Sequence, residues 1–402
     1  MIISQISPLL EELGKKSQPH EQLDHMNPES GRYQQILNQR VRENDGFVQT
    51  LSLELAKIGE MRVLDNTFIK RSPQGGQSIR LNDIAHWALA QTRKRAATEV
   101  LDQLKTFIST KSVPMSEVIA IWGINTKFPI KVTNDISIVP FESLIQSDVK
   151  DQLTGIKDTT HTGGTSFPHP RPKSALKYNF FHNPFDPDQK EVREEKMREI
   201  IKCLCLLNST SVCEIAHWFE CEINTPIIGG VMGWSGQAIE HAFHIPIEEQ
   251  EISEKNAQNL VAKYLGFNAT EKSRLNIPLN RLNTALRRFE ASEIALELGI
   301  SLEGLLDPGD SDISYKIRQR GAYLIGDTPA KKQEIFNILK QLYNIRSKVA
   351  HGSEIEKIVK VGGTPEPIES FVEKSKKICV EITRKIVDQG FIKDWDGALL
   401  GW

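Results

Sequence analysis

A chain of 402 residues is longer than one compact core supports and predicts two domains, or three. With 39% hydrophobic and 25% charged residues it has the balance of a globular protein, which excludes wholesale disorder. Lys+Arg at 50 against Asp+Glu at 52 leaves a net charge of −2, which excludes a generally basic, histone-like grip on nucleic acid but leaves room for a local basic pocket.

The opening, MIISQISPLLEELGKK, lacks a basic segment followed by a long apolar one. No stretch reaches the roughly 18 apolar residues that a membrane span needs, so a cytoplasmic protein with no membrane partner is expected. No internal repeat stands out.

The first quarter reads as mostly helical. Its strongest segment is 81–110, with Asn82 or Asp83 as N-cap before an apolar periodic run. From about 116 the texture changes: EVIAIWGI, FPIKV and ISIVPF are short β-branched and aromatic runs between turn residues, as in antiparallel strands. A polar, Gly/Pro-rich stretch at 154–177, with His161 and His169, is too long for a tight turn and reads as a sensing loop or a plain connection. A helix over 189–207 and two strand-like runs, CEIAHWFECEI and TPIIGGVMGW, follow. The glycines of the second run (Gly229, Gly230, Gly233, Gly236) lack the Lys-Ser/Thr pair of a phosphate-binding loop.

Five cysteines form no secreted-domain pattern, and Cys203 and Cys205 in IIKCLCLL read as buried thiols. A zinc site from Cys203, Cys205, Cys213 and His217 would need C-x-C ligation inside a helical run, which is poor geometry. No metal and no cofactor are expected.

After about 250 the strands stop. EKNAQNLVAKYLGF is helical, Pro278 sets the first turn of a long helix through LNRLNTALRRFEASEIALEL, and ISYKIRQRGAYLIG makes another. Pro329 starts AKKQEIFNILKQLYNIRSKVA, and a last long helix follows GGTPEP. The expected organisation is an α+β region over 1–250, divisible into helical 1–112 and β-rich 113–250, then an all-α bundle over 251–402.

Within the bundle, YNIRSKVAHG places Arg346 and His351 on one helix near its C-terminal end, with Gly352 suited to the left-handed residue that closes it. The spacing alone says little: a chain with 10 histidines holds about one such pair by chance, and Arg80 with His86 is one. Position says more. At 100° per residue Ile335, Ile338, Leu339, Leu342, Tyr343, Ile345, Val349 and Ala350 form one apolar arc with Arg346 near its middle. An arginine there needs a carboxylate, a phosphate or a wet cleft. His351 falls on the polar flank with Asn344 and Ser347, where a histidine titrates near neutral pH. The plain alternative pairs Arg346 with Glu290 or Glu293 and leaves His351 compensating the helix dipole.

The run RRFEASEIALELGISLEGLL, ISYKIRQRGAYLIG and IFNILKQLYNIRSKVAHG resembles the HEPN superfamily of helical ribonuclease domains, and within it the ApeA-like group linked to bacterial anti-phage defence. The likeness covers about 270–390, and FPIKVTNDISIVPF is similar to the group's N-terminal region. It implies a HEPN bundle acting as a metal-independent endoribonuclease, with Arg346 and His351 catalytic and usually facing a second copy across a homodimer. It also implies an RNA substrate, tRNA among the candidates, in abortive infection. Many relatives carry Asn, Asp or His after the arginine, where this chain has Ser347. Arg287 and Arg288, ahead of Glu290, are candidates for a phosphate-binding surface or a solvated face. Tyr343 is a base-stacking candidate or core, and Arg318 and Arg320 are further candidates. The N-terminal region is expected to restrain the nuclease until a trigger, phage-derived or a nucleotide, releases it. The reading from another class is a catalytically inert dimerisation or nucleotide-binding module.

Overall fold

The computed structural model describes residues 3–17, 45–72, 75–92, 94–155, 160–162, 165–167, 171–183, 185, 191–221, 230–236, 250–306, 309 and 311–400. Helices α1 (Ser7–Lys16), α2 (Asp45–Leu55) and α3 (Gly59–Leu64) come first, then the hairpin β1 (Phe68–Ser72) and β2 (Gly75–Ser78), then α4 (Leu81–Gln91) and α5 (Ala97–Ser109). Next are β3 (Val113–Trp122), β4 (Ile124–Asn125), β5 (Ile130–Lys131), β6 (Ile136–Pro140), α6 (Asp148–Gly155), β7 (Thr160–Thr162), β8 (Thr165–Phe167) and β9 (Ser174–His182). Helix α7 (Glu191–Leu204) and strands β10 (Cys213–Cys221), β11 (Gly230–Gly236) and β12 (Gln250–Glu251) follow. The remainder is α8 (Glu254–Gly266), α9 (Ala269–Arg287), α10 (Ala291–Leu306), α11 (Ile313–Ile325), α12 (Pro329–Ala350), the hairpin β13 (Ile358–Val361) and β14 (Thr364–Pro367), α13 (Ile368–Gln389) and α14 (Trp395–Leu400). The protein is a mixed α+β protein.

Two compact units interleave along the sequence. One comprises 1–120, 141–194 and 216–237; the other comprises 121–140, 195–215 and 238–402.

In the first unit, α1, α2, α4 and α5 enclose a core of Leu10, Leu51, Leu55, Met61, Ile84, Val100, Leu104 and Phe107, which continues onto Met115 of β3 and Phe219 of β10. The segment 81–110 is two helices, not one. The N-cap is Arg80 rather than Asn82 or Asp83; Asp83 acts three residues in, its carboxylate accepting the Arg80 N–H at 3.1 Å. The strands of this unit lie in the order β11-β10-β3-β9. Gly230, Gly233 and Gly236 sit in β11, antiparallel to β10, so that run is a strand rather than a phosphate loop; Gly229 and His169 lie outside the described residues. His161 is in the β7–β8 hairpin, within the stretch read as a loop.

In the second unit most of α7 comes first, and the main helical run begins at α8. Pro278 does not open α9, as the proline suggested. A capping box does, nine residues or more earlier: Asn268 Oδ1 accepts the Glu271 N–H at 3.0 Å and the Glu271 carboxylate accepts the Asn268 N–H at 3.1 Å. Pro278 is tolerated mid-helix where Gly304 of α10 leaves room for its ring and Ser301 Oγ donates to its carbonyl at 2.9 Å. The stretch read as one long helix breaks at 288–290 into α9 and α10, with Arg288 extended at φ −84°, ψ 150°.

The unit is not all-α. Gly362 and Gly363, at φ +58° and +93°, turn β13 back onto β14 between α12 and α13. Earlier segments also join it: β12 pairs in parallel with β4, and Asn283 of α9 reaches the 195–215 segment. Its side chain accepts from Ser211 Oγ at 2.9 Å and Val212 N–H at 3.0 Å and donates to the Val212 carbonyl at 3.0 Å. Gly321 of α11 lets Leu339 of α12 and Ile382 of α13 approach its backbone, which brings the three helices together.

Candidate active site

Helix α12 carries both halves of the candidate pair. Thr328 caps it, its hydroxyl oxygen accepting the Lys331 N–H at 3.2 Å, and Pro329 occupies the first turn. Ile335, Ile338, Leu339, Leu342 and Ile345 are buried, as the arc required. Beyond them the arc runs out of core: Tyr343 and Val349 are half-buried and Ala350 is exposed.

The far end closes as a Schellman motif. The Ser353 N–H donates to the Lys348 carbonyl at 2.9 Å and the Gly352 N–H to the Val349 carbonyl at 2.9 Å, with Gly352 at φ +73°. His351 is the C-cap residue, its N–H shared between the Ser347 and Lys348 carbonyls and its side chain exposed. The left-handed glycine behind it therefore fixes where the imidazole leaves the helix.

Arg346 crosses α10 over Gly299; a Cβ at that glycine would lie 2.5 Å from Arg346 Cγ, so only glycine lets the side chain pass. One turn further along α10 stands Glu303, whose carboxylate accepts from Arg346 Nη2 at 3.0 Å. The two side chains are 24% and 26% exposed, so the pair is neither free in solvent nor sealed in the core. Tyr343 completes the group. Its ring lies 5.6 Å from the Arg346 guanidinium. Burial and the Glu303 charge raise the Tyr343 pKa, so the phenol stays protonated and can serve as a donor. Arg346 Nε is buried with no partner among the described residues.

The expected carboxylates of Arg346 are corrected by this geometry. Glu290 falls in the break between α9 and α10 and is exposed; Glu293 faces Arg288 at 3.6 Å. Arg346 meets α10 over Gly299 instead, so its partner is the residue one turn on, Glu303. The sequence signal was a lone carboxylate among Leu298, Leu302, Leu305 and Leu306, which are buried. Arg287 is turned elsewhere, donating to Cys213 Sγ and to Thr284 Oγ1, both at 3.4 Å. Ser347 is half-buried and Asn344 exposed on the flank expected for them.

The cysteines are buried thiols: burial pushes the Cys203 thiol well up and that of Cys205 up to about 12, while His217 turns to Glu117 at 2.8 Å. No cluster of metal ligands occurs among the described residues. In the first unit a cavity of about 600 Å³ is lined by Glu11, Lys15, Thr92, Arg95 and Thr98 among others. No helix of the described residues is long and apolar enough to cross a membrane.

Comparison with protein-family models, with curated proteins and with solved structures found no match for this chain.

Proposed function

We propose that the chain is a metal-independent endoribonuclease of HEPN type, acting as a homodimer in anti-phage defence. The observation that carries the reading is the end of α12. A guanidinium held by Glu303 beside the Tyr343 ring and an exposed imidazole fixed by Gly352 stand five residues apart on one helix. RNA cleavage by its own 2′-hydroxyl needs a base for that proton, an acid for the departing 5′-oxygen, and positive charge beside the pentavalent phosphorus. His351 supplies proton transfer, and Arg346 supplies a planar fork for the phosphate oxygens. Glu303 occupies one of the five guanidinium N–H groups and leaves others for substrate.

One protomer offers one histidine. A two-fold partner would bring the second, and the uncovered end of the apolar arc at Val349 and Ala350 suits such a contact. The substrate is RNA, with tRNA among the candidates. The polar cavity of the first unit suits a phosphate-bearing or phage-derived trigger that lifts a restraint on cutting.

The test is the chemistry of the product ends. Cleavage by this route leaves a 2′,3′-cyclic phosphate and a 5′-hydroxyl; a 5′-phosphate product would rule it out.

The Arg346–Glu303 pair also favours a second reading, an inert helical dimerisation or nucleotide-binding module in which that pair only ties α12 to α10. In that case Arg346→Met lowers stability, and no RNA is cut under any activation.

A further inference from the structure

The nuclease site accounts for one end of α12 and leaves the other unexplained. There, α11 and α12 carry rings each faced by a cation. The Arg318 guanidinium lies 5.5 Å from the Tyr315 ring and 4.8 Å from that of Phe336, and the two rings meet edge-on at 6.0 Å. Lys332 Nζ lies 5.7 Å from the Tyr323 ring, which meets Trp395 edge-on at 6.5 Å. With Arg346 over Tyr343, residues 315–346 hold four such contacts.

Packing alone does not need these rings at the surface, yet Tyr315 is 50% exposed and Tyr323 38%. They stand eight residues apart on α11, with Gln319 between them, so all three share one face. Arg320 is different: it donates to the Leu306 carbonyl at 2.7 Å and covers Trp395, which makes it a packing residue. The nearby Glu334 carboxylate is taken up by Lys331 at 3.1 Å.

Helix α12 links this patch to the site. Lys332, Phe336, Lys340, Tyr343, Ser347 and His351 recur every three or four residues and fall within about 100° of arc. They form a stripe about 28 Å long that runs from the ring patch to the imidazole. Lys332, Lys340 and His351 are exposed and the other three half-buried. Exposed rings beside cations are what the bases and backbone of a single-stranded nucleic acid stack on and follow.

We propose that the exposed α11–α12 seam is a stacking platform for single-stranded RNA: bases rest on Tyr315 and Tyr323, Lys332 and Lys340 follow the backbone, and the strand leads to Arg346 and His351. The choice of RNA as the strand rests on the nuclease reading.

The experiment is fluorescence anisotropy with the full chain and a fluorescein-labelled 12-nucleotide oligouridine, in a His351→Ala background so that the probe is not cut. Tyr315→Ala with Tyr323→Ala weakens binding at least tenfold, and Tyr315→Phe with Tyr323→Phe restores it, because stacking needs only the ring. Lys332→Ala lowers the salt slope by about 0.7. Circular dichroism checks that each variant is folded. No binding by the parent protein, as for a patch that docks a protein instead, or equal binding by the alanine and phenylalanine pairs, overturns the platform. Cleavage by the wild type is scored separately: cutting with ring-independent binding removes the platform alone, and ring-dependent binding without cutting removes the nuclease alone.

Discussion

Replacing Glu303 by glutamine keeps the shape of the side chain and removes the charge that pairs with Arg346. The pair is 3.0 Å long and about three-quarters buried on both sides. Exposed pairs contribute about 0.2–1 kcal/mol, and removing one partner of a fully buried pair costs about 3–5 kcal/mol. With a quarter of each side chain in water, and with the glutamine oxygen still able to accept one bond, a loss of about 1–2 kcal/mol is expected. A double-mutant cycle isolates the interaction: Glu303→Gln, Arg346→Met and the double variant, unfolded in urea and followed by circular dichroism. The expected coupling is about 1 kcal/mol. A coupling within a few tenths of zero would refute the claim that Glu303 positions Arg346. If the protein cuts RNA, Glu303→Gln should also slow cutting by about tenfold, the effect of roughly 1.4 kcal/mol on the barrier.

Other expectations follow from single side chains. Exposed His351 should tolerate alanine within about 0.5 kcal/mol, whereas Gly352→Ala forces a φ of +73° on a residue with a Cβ and should cost about 1 kcal/mol, both read from urea midpoints. Asn283→Ala leaves the Val212 N–H and carbonyl without their partner and should cost about 2–4 kcal/mol, with earlier proteolysis in 195–215. Glu220 is buried, and burial raises its pKa despite Lys177 at 3.5 Å. A carboxyl that binds its proton more tightly when folded adds stability at low pH that is lost as pH rises through the folded value. Between neutral pH and the ordinary carboxylate range near 4.5, Glu220→Gln should therefore flatten the rise in stability on acidification and be more stable than wild type at pH 7.

The elements that the sequence announced are those with a local cause. The apolar arc of α12, its proline start and its glycine stop are all written within the helix, so α12 ends where Gly352 said it would. Local signals misled where a tertiary contact overrode them. Pro278 looks like a first turn, but the space left by Gly304 keeps it inside α9. The break at 288–290 carries no glycine or proline to mark it. The β13–β14 hairpin was hidden in two four-residue strands, the second of them the polar and prolyl TPEP, whose turn, Gly362–Gly363, was read only as a break. At the site, the need of Arg346 for a partner was legible from its place in the arc. The identity of that partner was not, because it depends on where α12 crosses α10, and that crossing is set by Gly299.

The most direct test of the account is RNA cleavage by the purified chain in EDTA, wild type beside His351→Ala, on tRNA and on an unstructured RNA, with and without extract of infected cells as activator. The account predicts cutting by wild type and none by the variant. Equal cutting by both, or no cutting by wild type even with activator, contradicts it.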